Sequence, residues 1–147
     1  MITYRKADET DIDTIARFGQ ALYSPDNSFE KLREEADEHL RSSKWAIFLA
    51  LDGDAPVGFC EISLRSDDVE GTEGGTVGYI EGVFVVPEYR GQQIAKKLIA
   101  QGENWSRERG CSEFASDCAL SNAESLLFHL KVGFEEASRN IHFVKKL

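Results

Sequence analysis

Two carboxylates stand where apolar strands ordinarily exclude them: Glu81 interrupts "TVGYIEGVFVVP", and Asp117 interrupts "FASDCAL". A charged side chain is almost never buried without a partner, so each reads as facing a cleft, where a carboxylate can bind a cation or accept a proton. Two plainer readings stay open: Glu81 on a solvated sheet edge, and Asp117 as a cap on the turn leading to Asn122. A third feature is the turn within "VPEYRGQQIAKKLI", residues 86–99. A strand ends at Pro87, an amphipathic helix begins around Gln93 or Ile94, and Arg90, Gly91, Gln92 and Gln93 lie between. Free N–H donors and the positive end of a helix dipole make such a turn a place for pyrophosphate. Arg90, Lys96 and Lys97 add cations, although the two lysines also suit the outer face of the helix.

The elements that must position these groups follow from the periodicity. Ile2 and Tyr4 alternate with polar neighbours as a first strand, and Thr10 with Asp13 has the form of a capping box. The helix it would open carries Ile12, Ile15, Phe18 and Leu22 on one side. Pro25 and Asn27 break the pattern before Phe29, Leu32, Ala36 and Leu40 resume it as a second amphipathic helix. "KWAIFLAL" and "PVGFCEISLR", separated by "DGDA", predict an antiparallel hairpin. An acidic, Gly-rich loop, "RSDDVEGTEGG", leads to the strand that holds Glu81. A helix closing at Gly110 and a strand "CSEFASDCAL" follow, which predicts a right-handed parallel crossover. Ser121 with Glu124 reads as a capping box for a helix over Asn122–Lys131, and "NIHFVKKL" as a closing strand. The order β–α–α–β–β–β–α–β–α–β describes an α/β fold, a mixed sheet with helices on both faces.

Composition bounds what such a fold can do. At 147 residues the chain suits one domain with one sizeable core. A net charge of −9, from 26 acidic against 17 basic residues, disfavours nucleic acid and attracts cationic ligands, or simply keeps the surface soluble. No apolar run approaches membrane-spanning length, and "MITYRKADE" has no apolar signal segment, so no membrane partner is expected. The three cysteines, Cys60, Cys111 and Cys118, form no CxxC pair, which predicts reduced thiols in a cytoplasmic protein. His39 and His142 have no companions at ligand spacing, and neither HExxH nor GxSxG occurs, so no metal is expected.

"EGVFVVPEYRGQQIAKKLI" together with "NAESLLFHLKVGFEE" resembles the GCN5-related N-acetyltransferases (GNAT), whose acetyl-CoA signature is Arg/Gln-x-x-Gly-x-Gly/Ala. Arg90 and Ala95 match it. Gln93 stands where the family usually carries Gly, and a non-Gly residue there can still donate its N–H if its φ is negative. "YIEGVFV", "GCSEFASD" and "GFEE" are similar to the aminoglycoside 6′-N-acetyltransferases, a resistance branch of that superfamily. The resemblance implies a single N-acetyltransferase domain over residues 1–147 that transfers acetyl from acetyl-CoA to a cationic aminoglycoside, and it implies a homodimer. It places the cofactor between splayed parallel strands, Tyr79–Val86 and Glu113–Ala119. The pantetheine arm would lie near Val83, Phe84 and Val85, and the pyrophosphate on Arg90, Gly91, Gln92, Gln93, Ile94, Ala95 and Lys96. Another small-amine or peptide-amine acceptor on the same fold stays open, as does a CoA-binding module without catalysis, the latter suggested by Gln93.

Acetyl transfer to an amine needs a neutral nucleophile, donors for the developing oxyanion and a proton for the departing thiolate. In that chemistry the resemblance makes Glu81 the group that binds the substrate ammonium and accepts its proton, directly or through water. It makes Asp117 a second anchor for the polycation. His129 occupies the place of a Tyr that many members use as general acid, and an imidazole can donate near neutral pH. Asn122, seven residues earlier, resembles the Asn that bonds the pantetheine arm. A structural histidine and a helix-start asparagine are the competing readings. Asp67, Asp68, Glu70 and Glu73 form a loop able to steer a polyamine sugar. Tyr23 would stack on a sugar ring or belong to the core.

Overall fold

The computed structural model describes residues 1–23 and 26–147. Pro25, read above as a helix breaker, lies outside the described residues. The chain runs β1 (Ile2–Lys6), α1 (Ile12–Leu22), α2 (Phe29–Arg41), β2 (Trp45–Asp52), β3 (Ala55–Arg65), β4 (Val77–Val85), α3 (Ile94–Glu108), β5 (Phe114–Ala115) and α4 (Ala123–Lys131). Short 3-10 turns precede α1 and follow β4. The five strands lie in sequence order, antiparallel from β1 to β4 and parallel between β4 and β5.

Strand β2 shows why its sequence is apolar throughout rather than alternating. Ala46, Phe48 and Ala50 face a core built with Ile94, Leu98, Ile99 and Trp105 of α3. Ile47, Leu49 and Leu51 face a second core built with Ile15 of α1 and Ala36 of α2. A strand covered on both faces has no wet side on which to place polar residues. The mixed sheet with helices on both faces is therefore as the sequence leads one to expect. Among the described residues no helix is long and apolar enough to cross a membrane.

Four local expectations need correction. The first cap is Asp8, not Thr10: Asp8 Oδ1 accepts the Thr10 N–H at 2.9 Å, and Asp11 Oδ2 accepts the Asp8 N–H at 2.9 Å. The Thr10 hydroxyl is itself committed to Asp8, at 2.6 Å. Arg5 grips Asp11 through both nitrogens, at 2.7 and 2.9 Å, tying β1 to this turn. That grip holds the Asp11 carboxyl below the usual carboxylate range. The α4 cap is Asn122, whose Oδ1 accepts the Ser125 N–H at 3.1 Å, in place of a Ser121–Glu124 box.

The expected strand over 111–120 shrinks to Phe114–Ala115, pairing only as Gly78 with Phe114 and Tyr79 with Ala115. Beyond Ala115 the side chains find better partners than a ladder offers, Ser116 on His129 and Asp117 on Tyr79. The closing strand over 140–147 does not form, because two residues of β5 present too short an edge to template it. Ile141, Phe143, Val144 and Leu147 are left exposed.

Candidate active site

The early end of β5 opens a gap beside β4, and β4 is irregular at that gap. Its register against β3 runs Glu61 to Gly82 and then Ile62 to Ile80, so Glu81 is the extra residue of a β-bulge. A bulge re-aims the side chain it carries. The Glu81 carboxylate accepts from the Ser63 hydroxyl at 2.8 Å and from the Arg65 guanidinium at 2.5, 2.9 and 3.1 Å. Arg65 in turn lies over the Tyr79 ring, 3.6 Å from its centroid, and the Tyr79 hydroxyl donates to Asp117. Burial and the bond to Asp117 push the Tyr79 phenol well up, so it remains the donor. The two carboxylates singled out in the sequence thus belong to one network, joined through Tyr79 and Arg65.

Behind Glu81 is a cavity of about 250 Å³ between α1, α2 and the sheet, lined by Tyr23, Glu35, His39, Trp45, Glu61 and Glu81 among others. Glu61, absent from the reading above, is only 8% exposed. Burial pushes its carboxyl up to about 7, against the opposing Tyr23 hydrogen bond and with help from Glu81 and Glu35. A raised carboxyl stabilises the fold below its unfolded value of 4.5 and ceases to do so as pH rises through about 7. His39 stacks on Trp45 with ring centroids 3.5 Å apart, and burial lowers its imidazole. Glu61 was legible by the signal that exposed Glu81, a charge inside the apolar run "PVGFCEISLR". Arg65, Tyr79 and Ser63 carry no such signal, since each type is ordinary in a strand.

At the turn, Arg90 Nε donates to the Val85 carbonyl at 2.9 Å, clamping the turn to the end of β4. Gly91 has φ +83°, and a Cβ there would meet nothing within 4 Å. There is open space at Gly91, and the first N–H groups of α3, which follows, have no partner within the helix. These residues fit an anionic ligand. Gln93 precedes α3 in the left-handed region, at φ 63°, among the described residues the only non-glycine with positive φ. The condition of a negative φ is not met: Gln93 sits in the left-handed region that favours glycine.

His129 Nδ1 lies 2.7 Å from the Ser125 carbonyl, so in the neutral ring Nδ1 carries the proton. Nε2 then accepts from the Ser116 hydroxyl at 2.7 Å. Asn122 Oδ1 is used as the helix cap. Tyr23 is 48% exposed, with its hydroxyl turned inward. Asp68 and Glu70 are exposed on the loop between β3 and β4, where Glu70 accepts from Ser138 at 3.3 Å and no contact joins either residue to Glu81 or Asp117.

The acetyltransferase (GNAT) family model matches residues 13–134, from the start of α1 through the end of α4 and including every group just described except Ser138. The chain belongs to the GNAT acetyltransferase family. Among its relatives is the aminoglycoside N(6′)-acetyltransferase type 1 of Serratia marcescens, 38% identical over 142 residues, 95% of this chain and 96% of that one. The namesake enzyme of Stenotrophomonas maltophilia is 39% identical over 111 residues, 75% and 72% of the two chains. The structure of AAC(6′)-Iy in complex with the bisubstrate analogue CoA-S-monomethyl-acetylneamine superposes with TM-score 0.94 at 31% identity, covering 100% of this chain and 99% of that one. That of AAC(6′)-IG from Acinetobacter haemolyticus superposes with TM-score 0.91, also at 31% identity, covering 99% of both.

In this GNAT chain the left-handed Gln93 carries a testable cost. A non-glycine residue there sacrifices about 1 kcal/mol to the contact between Cβ and the following carbonyl. Gln93→Gly is therefore expected to raise stability by up to about 1 kcal/mol and to preserve or tighten acetyl-CoA binding. Gly91→Pro, which forces φ from +83° to about −65° and removes an N–H, is expected to weaken binding. Calorimetric titration with acetyl-CoA and thermal unfolding check both. Unchanged affinity in a folded Gly91→Pro protein would remove the turn from the site.

Proposed function

We propose that this acetyltransferase moves the acetyl group of acetyl-CoA onto the 6′-amine of aminoglycoside antibiotics, and that residues 1–147 make up one catalytic domain. The observation that carries the reading is the acidic network at the gap beside β4, Glu81 and Asp117 joined by Arg65 and Tyr79. It sits in a chain whose near full-length relatives are named for that activity.

Acetyl-CoA supplies an activated thioester carbonyl, and the roles of this chain's residues toward it follow from placement. The backbone of Val83, Phe84 and Val85 has no parallel partner, since β5 pairs only as far as Tyr79, and apart from the Val85 carbonyl, which accepts from Arg90, that edge is open to the pantetheine amides. The N–H groups of Gly91, Gln92, Gln93, Ile94, Ala95 and Lys96 hold the pyrophosphate. Arg90 anchors the turn through Nε and keeps its terminal nitrogens for phosphate. Asn122 offers its Nδ2 to the arm while Oδ1 caps α4. The proton for the departing sulfur comes from His129 or from the Ser116 hydroxyl it supports.

On the acceptor side, Glu81 and Asp117 hold the cationic ring, and Glu81 positions the reacting ammonium for the loss of its proton. Asp68 and Glu70 draw the polycation in, and Tyr23 packs against it from α1. The Arg65 guanidinium must share Glu81 with the incoming ammonium, which favours acceptors carrying several positive charges. Ile141, Phe143, Val144 and Leu147, with Leu127 and Leu130 of α4, are large apolar side chains left exposed. We assign their cover to a second copy in a homodimer. The free thiols Cys60, Cys111 and Cys118 fit the cytoplasm.

Regiochemistry tests the assignment. Kanamycin A and tobramycin, which bear a 6′-amine, are expected to release CoA thiol, and paromomycin, with a 6′-hydroxyl, to react far less. Mass spectrometry of the kanamycin product should place one acetyl group on the 6′-nitrogen. Acetylation at another nitrogen, or equal turnover of paromomycin, defeats the assignment.

A further inference from the structure

We propose that Glu61 is the proton-holding group of the reaction, receiving through the Tyr23 hydroxyl the proton that the acceptor ammonium must lose. The proposal rests on the acetyltransferase reading above and concerns a residue outside its list of groups.

The geometry starts from one hydroxyl with two acceptors. Tyr23 Oη lies 3.0 Å from Glu61 Oε2 and 3.1 Å from the carbonyl oxygen of Glu81, the bulged residue. A phenol has a single proton to give. When Glu61 is ionised, Tyr23 donates to it and leaves the Glu81 carbonyl. When Glu61 is protonated, it donates to Tyr23, which turns to the Glu81 carbonyl, and the chain of bonds is complete. The two states of Glu61 are thus two orientations of one hydroxyl, which is what a relay requires.

Placement makes the relay useful. Tyr23 lines both the surface groove with Asn27, Lys31 and Glu35 and the cavity shared with Glu61 and Glu81, so an ammonium entering the cavity meets its hydroxyl beside the buried carboxylate. The groups facing Glu61 are Tyr23 from α1, Glu35 and His39 from α2, and Glu81 from β4. His39 adds little positive charge, since burial lowers it, and among the described residues Glu61 accepts a hydrogen bond from Tyr23. Glu81, by contrast, is saturated by Arg65 and Ser63. Glu61 accepts from Tyr23, is enclosed, and, held near 7 by burial, can accept and return a proton at neutral pH. Gly82 keeps the relay open: a Cβ there would lie 2.3 Å from Tyr23 Oη.

The step balances as follows. An N–H bond of the acceptor ammonium breaks, Tyr23 Oη receives that proton, and its own passes to Glu61 Oε2, which becomes a carboxylic acid. The freed amine forms the new N–C bond at the thioester carbonyl, the C–S electron pair leaves with sulfur, and the nitrogen's second proton is lost as sulfur is protonated. Glu61 returns its proton to solvent through Tyr23, leaving both side chains unchanged.

The test combines rate and spectroscopy. With kanamycin A and acetyl-CoA both saturating, kcat of the unmodified enzyme is expected to rise with pH through about 7, because Glu61 must be ionised to accept. Glu61→Gln should lower kcat at pH 8 by roughly ten- to a hundredfold and abolish that rise, with acetyl-CoA affinity unchanged. Tyr23→Phe should lower kcat similarly while leaving the carboxyl in place. Independently of turnover, infrared difference spectra of the unmodified protein should show a protonated carboxyl stretch that titrates near pH 7 and persists in Tyr23→Phe. Should Glu61→Gln fail to fold, the infrared titration and Tyr23→Phe decide between them. A Glu61→Gln enzyme with full kcat and the same rise, a Tyr23→Phe enzyme with full kcat, or no carboxyl titrating near 7 overturns the proposal. In each of these cases kanamycin acetylation by the unmodified enzyme leaves the parent reading intact.

Discussion

Glu81→Gln is expected to lower kcat/KM for kanamycin A by about a hundredfold, at the lower end of what a positioned acid–base group contributes. Glutamine retains the shape and can still accept from Ser63, but it cannot neutralise Arg65 or bind an ammonium as an ion pair. Arg65 then presents an unpaired positive charge to a cationic substrate, so binding and chemistry fail together. Stability should hardly move. The Arg65–Glu81 pair is partly open to solvent, with Arg65 42% exposed, and such pairs contribute about 1 kcal/mol or less. Steady-state kinetics and a thermal melt on the same preparation separate the two quantities. Near-normal turnover by Glu81→Gln would reduce the carboxylate to a structural partner of Arg65.

Gly78→Ala should do the opposite, damaging the fold first. A Cβ at Gly78 would lie 2.1 Å from Ser106 Oγ, 2.7 Å from Ser106 Cβ and 2.7 Å from the Phe114 ring. Ser106 is fully enclosed, and its hydroxyl is bonded to the Gly102 carbonyl at 2.9 Å, so it cannot swing aside without losing that bond. Overpacking of this kind costs about 2–3 kcal/mol, which for a chain this size lowers Tm by on the order of 10 °C. The damage falls on the β4–β5 contact, because Gly78 pairs with Phe114 and donates to the Glu113 carbonyl at 3.2 Å. The KM for acetyl-CoA should therefore rise in whatever remains folded. Ser106→Gly in the same chain should recover part of the loss, and the non-additivity measures the clash. A Gly78→Ala protein as stable as the parent would show that α3 has slack against β4.

Much of this was legible in the chain itself. Helix and strand placement followed from periodicity, since a period of 3.6 or 2 is written into which residues must be apolar. Glu81, Asp117 and the turn at Arg90 stood out because each breaks the chemistry of its own element. The tail was misread as a strand because "NIHFVKKL" has the right composition, whereas a strand needs an edge to pair with, and β5 supplies two residues. The capping boxes at Thr10 and Ser121 failed for a related reason: several short polar residues compete at a helix start, and only the folded backbone selects Asp8 or Asn122.

The sequence by itself determined the α/β class, the central antiparallel hairpin, the acidic character and the strand–turn–helix order around Arg90, all of which depend on local residue order. Tertiary structure alone decided that Gln93 is left-handed, because the geometry of the strand–turn–helix corner outweighs about 1 kcal/mol of local preference. It alone decided that Arg65 and Tyr79 join Glu81 to Asp117, residues 36 positions apart in the chain. It alone placed Glu61 against Tyr23 across 38 positions, where burial rather than residue type gives the carboxyl a proton near neutral pH.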